Sequence, residues 1–455
     1  MTTTTGIMYS ALSTLNTYSG AIDVASTNIA NVETTGYSRQ RAVIESTGTS
    51  GASVELSSIK RVYSAFLTMQ LRSANQDLGK WEAESEILSG IEQIFSDTDD
   101  YGLSSALNDF WNAWQDVIND PSSTTARSVL ASGSDNLAET FNSTSSDLKE
   151  IQAGIDDAVV STVEEINQLA QQIVDMNQKI SQAAATGGRV NTCQDSIDTL
   201  VLSLSSLINI STYTNESGQV CIQVTDGKPL VEGTAIWTLS AATNATTGLR
   251  DVTWDDGDGN AQVISDDITS GKLNGYLEVR DEMIPSCQTG LDELAVTIME
   301  EVNALHTSGY DMDGQAGISF FTGTGAEDMS VNTEILEDPG KIAAAATADG
   351  ASGDGTNAAA IAGLQDALLL SSGTCTISDY YAAMVAKIGT EVKSAEAGYE
   401  SASDTVEYRK NQVASVSGVS VDEETAKLVL YQSTYEAAAK LTSILDEMLE
   451  TIIEM

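Results

Sequence analysis

The sequence of 455 residues has little proline, little aromatic content and almost no histidine. It contains four prolines and one histidine, and 5% of its residues are aromatic. Because proline interrupts helices, so few prolines permit very long helices. Apolar residues make up 41% of the chain, so packed cores are possible, and we expect them to consist mainly of Ala, Leu, Ile and Val. A compact globular enzyme is not the favoured interpretation.

Positive charge is also scarce. The chain has 21 Lys and Arg residues against 66 Asp and Glu residues, and its formal net charge is −45. Nucleic-acid affinity comes largely from basic side chains that neutralise phosphates, and an anionic membrane surface would repel so acidic a protein. We therefore expect neither nucleic acid nor membrane as a partner.

The cysteines show no metal-binding or redox spacing. They lie far apart and form no Cys-x-x-Cys pair; they are Cys193, Cys221, Cys287 and Cys375. Zinc binding and thiol–disulfide exchange are therefore unsupported, and we interpret these residues as small apolar side chains.

The N-terminus does not resemble a Sec-type signal peptide. Its first basic residue is Arg39, and no apolar core follows the start. No apolar run is long enough to cross a bilayer. We expect the chain to stay in the cytosol or to leave the cell by a route that does not read such a signal.

Both ends of the chain carry apolar residues at heptad spacing. The N-terminal stripe consists of Met8, Ala11, Leu15, Tyr18, Ile22, Ala25, Ile29 and Val32. The C-terminal stripe consists of Leu428, Tyr431, Tyr435, Ala438, Leu441, Leu445, Met448 and Ile452. Such spacing predicts helices that bury one side against another helix. We call these two sets the terminal stripes.

The N-terminal helix should depend on packing for its stability. Many of its residues are poor helix formers, which weakens an isolated helix by about 6 kcal/mol. Burial of the larger stripe side chains against another helix could return about 10 kcal/mol. We expect a segment that is disordered alone and helical once packed. A helix docked permanently on its own domain is the alternative that periodicity leaves open.

The interior of the chain is predicted to be helical except for one β-rich segment and one irregular segment. Apolar stripes within residues 67–95, 166–180 and 291–305 predict long helices of a bundle core. Residues 209–275 instead show short alternating runs separated by Asp-Gly and Glu-Gly turns, which predicts an inserted β domain. Residues 309–355, rich in Gly, Ala and Asp, predict irregular loops at one end of the helical rod. The fold class is mainly α with an inserted β domain.

The candidates for chemistry are weak. His306 closes a helical stripe and has no accompanying nucleophile motif, so we interpret it as a histidine stabilised by the helix dipole. Residues 256–260, with sequence DGDGN, resemble the start of a calcium loop, but Ala261 replaces the required glycine and strands flank the segment. A hairpin turn is the better interpretation. We predict no enzymatic activity, no cofactor and no metal.

Two terminal motifs resemble those of a known family. Residues 28–40, NIANVETTGYSRQ, are similar to the signature shared by flagellar rod, hook and hook-associated proteins. Residues 415–424, SVSGVSVDEE, narrow the resemblance to the flagellar hook-associated protein 1 family, which forms the hook–filament junction. Intermediate segments agree, among them FWNAWQD at 110–116 and LDELA at 291–295. The similarity is collinear over most of the chain.

This resemblance implies a secreted axial subunit of the extracellular bacterial flagellum that leaves by flagellar type III export. The implied partners are identical subunits in a ring, the flagellar hook protein, hook-associated protein 3 and a cytosolic export chaperone. It also implies that the two termini pair as a coiled coil, that the middle helices form a rod and that β-rich material faces outward. Since the chain must pass unfolded, we expect free thiols.

These implications divide the chain into three domains. They are a terminal coiled coil (1–45 with 416–455), a helical rod (46–208 with 276–415) and an outer β-rich domain (209–275). Gly36 suits a left-handed turn that ends the first helix, and Tyr37 would anchor the following strand. A locally satisfied tyrosine and a contact between subunits both remain open for Tyr37.

The alternatives for function are another flagellar axial subunit, namely hook-associated protein 3 or a rod or hook protein, and a cytosolic helical scaffold.

Overall fold

A computed structural model describes residues 2–47, 53–96, 102–186 and 190–454, with only the backbone described for 2–5, 184–186 and 452–454. Long helices dominate these ranges. The first five are α1 (Thr2–Ala30), α2 (Ala65–Ile94), α3 (Leu103–Asn119), α4 (Thr124–Thr186) and α5 (Asn191–Leu207). The others are α6 (Lys272–Glu278), α7 (Ile284–Ser308), α8 (Thr333–Glu337), α9 (Thr356–Ala362), α10 (Ile377–Ser417) and α11 (Val421–Glu454).

The scarcity of proline shows in helix length. Helix α4 has 63 residues and α10 has 41, so α4 alone is about 95 Å long at 1.5 Å per residue. Pro121 lies just before α4. Pro285 lies inside a continuous helix, directly after the π-helical turn Val279–Met283 that joins α6 to α7, and such a turn accommodates the backbone donor that proline lacks. Helix α10 begins at a side-chain cap, since Thr376 Oγ1 accepts a hydrogen bond from the Asp379 amide at 3.1 Å.

The strands form four separate antiparallel sheets within the described part of the chain. The hairpin consists of β1 (Gln40–Thr47) and β2 (Ser53–Arg61). Seven strands lie between α5 and α6: β3 (Ser211–Thr214), β4 (Val220–Val224), β5 (Lys228–Glu232), β6 (Ala235–Ile236), β7 (Leu239–Thr243), β8 (Arg250–Asp255) and β9 (Ala261–Val263). They form a four-stranded sheet, β3-β4-β5-β6, and a three-stranded sheet, β7-β8-β9. The last pair is β10 (Phe321–Thr322) with β11 (Ser330–Val331).

The rod consists of α2 packed along α10 and of α3 packed on α4. Its core is more aromatic than the composition suggested, because several of the few aromatic residues gather at one point. The ring of Phe110 lies 4.7 Å from Trp111, and the ring of Trp114 lies 5.5 Å from Phe320. These four side chains are fully buried. Most of the other residues of this core are Ala, Leu, Ile and Val, as predicted, and the aromatic side chains add to them.

Residues 309–355 contain short elements and turns, as the composition indicated, but they belong to the rod core. Phe320 and Phe321 are buried against α3, and the alanines at 343–345 are fully buried. Asn303 on α7 fixes the segment, since its Oδ1 accepts from the Phe320 and Phe321 amides at 2.7 and 2.9 Å. Side chains, backbone turns and the short β10–β11 pair together satisfy the backbone groups of this segment.

The β unit is attached to α4 through two asparagines. Asn177 donates to the Val220 and Gly233 carbonyls and accepts from the Val220 amide. Asn167 pairs in the same way with both backbone groups of Leu239. Each amide side chain thus takes the place of a neighbouring strand, and the inner faces of the two sheets share a core with α4 and α5.

The two termini pair with each other within one chain. Helix α1 packs against α11, and the pair is antiparallel, since Asn28 meets Glu424 whereas Tyr18 meets Tyr431. The other side of α1 is covered by the hairpin: Thr17 Oγ1 donates to the Val54 carbonyl at 3.0 Å.

The predicted domain boundaries fall at different kinds of position in this structure. The boundary at 208 lies between α5 and β3, and that at 415 lies in the last turn of α10. Those at 45 and 275 lie inside β1 and α6. The division into three domains stays a prediction.

Candidate assembly interface

Asn28 organises the place where the terminal pair joins the rod. It is fully buried, and its Nδ2 donates to the Gln40 carbonyl and to Glu424 Oε2, both at 2.8 Å. Its Oδ1 accepts from the Gln40 amide at 2.9 Å and from the Tyr37 hydroxyl at 2.8 Å. Four hydrogen bonds therefore link the first helix, the hairpin and the last helix. We call Asn28, Tyr37, Gln40 and Glu424 the Asn28 hub.

Glu424 places a carboxyl group inside the contact between α1 and α11. It is 2% exposed, and its second oxygen accepts from Lys427 Nζ at 2.6 Å. Glu424 also lies seven residues before Tyr431, so it occupies the same side of α11 as the C-terminal stripe. A paired polar group in such a position restricts which alignment of two helices is acceptable.

The turn after α1 has the geometry that the sequence predicted. Gly36 has φ of +80°, and a Cβ built on it would lie 2.4 Å from Thr199 Oγ1 on α5. Tyr37 is satisfied locally by Asn28, and burial raises its pKa to about 12, with smaller contributions from Asp195 and Glu424. Its contact with a neighbouring subunit stays untested.

Basic residues connect the terminal pair to the rod. We call the region where the two meet, which includes Gly36, Arg39 and Arg61, the neck. The Arg39 amide donates to the Ser417 carbonyl at 2.8 Å, and its guanidinium contacts Glu423 at 2.9 Å. Arg61 pairs with Asp195 at 2.8 Å. Arg39 and Arg61 thus each connect segments that are far apart in the sequence.

The terminal stripes are unevenly buried. On α1, Ala11 and Ala25 are buried, Leu15, Tyr18, Ile22 and Ile29 are half-buried, and Met8 is exposed. Val32, the last predicted member, is also exposed but lies in the turn beyond the end of α1. On α11, Ala438 and Leu445 are buried, Leu428 and Tyr431 are half-buried, and Tyr435, Leu441 and Met448 are exposed. The side chain of Ile452 lies outside the described residues.

Both helices also carry apolar side chains outside the predicted stripes. On α11, Leu430 is 62% exposed and Ile444 is 54% exposed, and on α1 Tyr9 is 70% exposed. Large exposed apolar surfaces of this kind mark contacts with other molecules. The terminal pair therefore buries one side within the chain and presents further apolar side chains outward.

Sequence reasoning missed a second buried line on α1. Thr17, Ala21, Val24 and Asn28 are all buried, and Gly20 lies close to Leu56 of the hairpin. Their spacing of three and four residues was a usable signal. It was hidden because a small polar residue, a small apolar residue and an asparagine score low as apolar positions. Glu424 was missed because a charged residue was not expected inside the contact.

His306 is structural, but its environment differs from the prediction. It lies in the last turn of α7 as expected, yet it is fully buried: Nδ1 lies 2.6 Å from the Ile318 carbonyl, and Nε2 accepts from the Ala343 amide at 2.8 Å. Burial lowers its pKa to about 4. The predicted place at the end of a helix is confirmed, but two backbone contacts, rather than the helix dipole, hold the ring, and burial favours its neutral form.

The acidic loop at 256–260 is the turn of a hairpin between β8 and β9. Asp256 Oδ1 accepts from the Asp258 and Asn260 amides at 2.8 and 3.2 Å, and its Oδ2 accepts from the Asn260 side chain at 3.0 Å. The hydrogen bond from the Asn260 side chain contributes most to lowering the pKa of the Asp256 carboxyl group, and the bonds from the two backbone amides lower it further. The four cysteines are free thiols. Within the described ranges, no helix is long and apolar enough to cross a membrane.

A helical rod whose paired terminal helices present apolar side chains outward defines a structural subunit of a larger assembly. Comparison with known families agrees over most of the chain. Residues 88–321 match the family model described as flagellar hook-associated protein FlgK helical domain. Residues 8–37 match that of flagella basal body rod protein, and residues 410–455 match that of flagellar basal body rod FlgEFG protein C-terminal.

Whole proteins give the same result. Flagellar hook-associated protein 1 of Bacillus subtilis (strain 168) is 29% identical, over 100% of this chain and 98% of that protein. The Escherichia coli (strain K12) protein of the same name is 25% identical over 99% of both. The structure of the flagellar hook junction protein FlgK from Burkholderia pseudomallei matches with a TM-score of 0.70 and 16% identity, over 76% of this chain and 100% of that one.

The chain belongs to the flagellar hook-associated protein 1 family. It is an exported axial component of the bacterial flagellum and assembles with hook components. The predicted family and the mainly helical fold with a β unit are confirmed.

Proposed function

We propose that the protein is a non-catalytic adaptor that forms the junction between hook and filament. Identical subunits form a ring, with the hook protein on one side and hook-associated protein 3 on the other. The observation that carries this proposal is the terminal pair, whose inner side is buried within the chain and whose outer side keeps large exposed apolar residues such as Leu430 and Ile444. Family membership supports the same position in the flagellum.

Burial of apolar side chains should drive the association of subunits through this surface. Each large apolar side chain that becomes buried between subunits contributes about 2 kcal/mol, and a ring repeats the contact at every subunit. Since all copies carry the same negative charge, apolar contacts must outweigh their mutual repulsion.

The test replaces outward apolar residues on α11 and matches them with others on the rod. Leu430→Ser with Ile444→Ser should leave the purified chain folded but abolish its incorporation at the hook tip. The matched control, Val129→Ser with Leu368→Ser, removes side chains of similar exposure outside the terminal pair and should incorporate normally. Equal incorporation of both variants would contradict the proposal.

Location is tested separately with a fluorescently labelled copy. A signal at the hook tip supports the junction. A signal along the hook or the rod would indicate another axial subunit, and a signal confined to the cytosol would indicate a helical scaffold. Removal of residues 1–32 and 421–455 should leave a folded rod that does not join the hook.

Export should use the flagellar type III route, with a cytosolic chaperone bound to α11 beforehand. The exposed apolar residues of α11 support this, because they need cover in the cytosol. In cells that lack the chaperone, we expect that the chain is no longer secreted and that it aggregates.

We also propose that the chain has the three predicted domains, with the hairpin assigned to the terminal one. The hydrogen bonds from Ser13 and Thr17 to the Val54 carbonyl support that assignment. Limited proteolysis should cut beside the hairpin before it cuts within it.

A further inference from the structure

The outer face of the hairpin carries two like-charge pairs. In the β1–β2 register, Arg41 lies directly opposite Lys60, and Glu45 lies directly opposite Glu55. All four residues are exposed. We call these four residues the hairpin charge face.

The alternation along β1 places Arg41 and Glu45 on the side away from α1, and the register shift between Val43 and Ile44 keeps Lys60 and Glu55, five positions apart on β2, opposite them. The side that faces α1 carries other residues. Gln40 of β1 is buried in the Asn28 hub, and Leu56 of β2 lies against Gly20 of α1. Arg41 and Glu45 are separated by four residues on β1, so they share the opposite side.

The charges are not neutralised within the chain. Across the residues that the structure describes, none of the four side chains has an ion pair or a hydrogen bond. Arg39 and Arg61, their sequence neighbours, are both paired with carboxylates. The two rungs lie about 13 Å apart, too far for their charges to neutralise each other effectively in water.

Like charges directly opposite each other destabilise a strand pair. Two such pairs of opposite sign, set apart along the hairpin, allow a head-to-tail contact in which the basic rung of one copy fits the acidic rung of the next. We propose that the hairpin charge face is a contact between copies of this chain, in which Arg41 and Lys60 of one copy meet Glu45 and Glu55 of the next. The proposal rests on the proposed function in one respect, that copies lie side by side in a ring.

A second copy is the occupant that the charges favour. Most of the surface of each copy repels the others, because the net charge is −45. A local contact between matched opposite charges then gives direction to an association whose strength comes from apolar burial. The face is also continuous with the proposed assembly surface, since the hairpin covers one side of α1.

The experiment uses full-length chains with reversed charges in cells that lack the original copy. Variant A carries Arg41→Glu and Lys60→Glu, and variant B carries Glu45→Lys and Glu55→Lys. Each keeps like-charge rungs, so folding within the chain should not change, which circular dichroism and the melting temperature check. Alone, A and B should each incorporate at the hook tip about fivefold less than the original chain, in line with two exposed ion pairs lost per contact.

Co-expression of A and B should restore incorporation to within about twofold, because an acidic face then meets a basic one. The chain with all four reversals should incorporate on its own like the original. If A and B incorporate normally, the proposal is overturned. If A and B fail and neither co-expression nor the fourfold reversal restores them, the face binds a different protein, and the proposal is equally overturned.

Failure of the proposed function gives a distinguishable result. In that case the original chain is absent from the hook tip, whatever its charges. Self-association is then measured by sedimentation of the purified chains, in which an A–B mixture should associate more strongly than A or B alone. Added salt should weaken that difference.

Discussion

Asn28→Asp should separate the terminal helices from each other while the rod stays folded. Aspartate has the shape of asparagine and keeps both acceptor contacts, those from the Gln40 amide and the Tyr37 hydroxyl. It removes the donor to Glu424 and to the Gln40 carbonyl, and it brings two carboxylates together in a buried place.

The size of the effect follows from these contacts. Loss of a hydrogen bond to a buried charged acceptor costs about 2 kcal/mol, and loss of the bond to a carbonyl about 1 kcal/mol. Repulsion between the two carboxylates, limited by protonation of one of them, adds about 1 to 2 kcal/mol. The total, about 4 to 5 kcal/mol, is at least as large as the margin of about 4 kcal/mol left when the low helix propensity of α1 is set against burial of its stripe. The variant should therefore lose the pairing of α1 with α11.

Hydrogen exchange followed by mass spectrometry measures this directly. Peptides from α1 and α11 should exchange much faster in the variant, whereas peptides from α4 and α10 should not change. Asn31→Asp is the matched control, because Asn31 lies one turn further on and donates to the Thr27 carbonyl near the surface.

A second substitution tests the contact itself. Glu424→Gln in the Asn28→Asp background supplies a new donor to the new carboxylate, so part of the protection should return. Protection in Asn28→Asp equal to that of the original chain would refute the reasoning, as would an equal loss in the Asn31→Asp control. Loss of protection in the rod as well would show that the Asn28 hub stabilises the whole chain rather than the terminal pair.

Three further predictions concern single residues. His306, with its pKa lowered to about 4, should stay neutral in the folded chain, whereas the unfolded chain gains a proton near pH 6.5. About 3 kcal/mol of stability should therefore be lost as the pH falls from 6.5 towards 4. Titration of this sole histidine near pH 6.5, measured by NMR, would contradict this. Burial raises the pKa of Glu84 to about 7, so stability should instead fall as the pH rises from 4.5 through 7, and Glu84→Gln should flatten that part of the profile in thermal melts at pH 5 and pH 8. Gly36→Ala should destabilise the neck by about 2 kcal/mol, because its φ is +80° and the new methyl group meets Thr199, whereas Gly133→Ala, in an open helical position, should not destabilise in urea unfolding.

Much of the fold could be predicted from pattern alone. The heptad spacing at both ends, the change to alternating runs after residue 208 and the lack of proline each correspond to an observed feature: α1 and α11, the strands β3 to β9, and the 63 residues of α4. These features depend on local periodicity, which a single segment carries within itself.

The assembly residues were less predictable. Heptad spacing identified the stripe on α11 but not which members face α1; Tyr435 and Met448 are exposed, whereas Ala438 and Leu445 are buried. The buried and the exposed members of the stripe have nearly the same spacing, and a rotation of the helix about its own axis would exchange them. That rotation is set by its partner, so the stripe alone could not decide it.

The amino-acid sequence by itself determined the helical character of the chain, its inserted β unit and its family, because spacing, turn residues and terminal motifs are local properties. Only the tertiary structure decided that Asn28 and Glu424, 396 positions apart, share a buried hydrogen bond, that His306 is neutral, and that the charges of the hairpin lie in like pairs on one exposed face. Each of these depends on which distant segment lies alongside and on how much water it excludes, and neither quantity is encoded within any one segment.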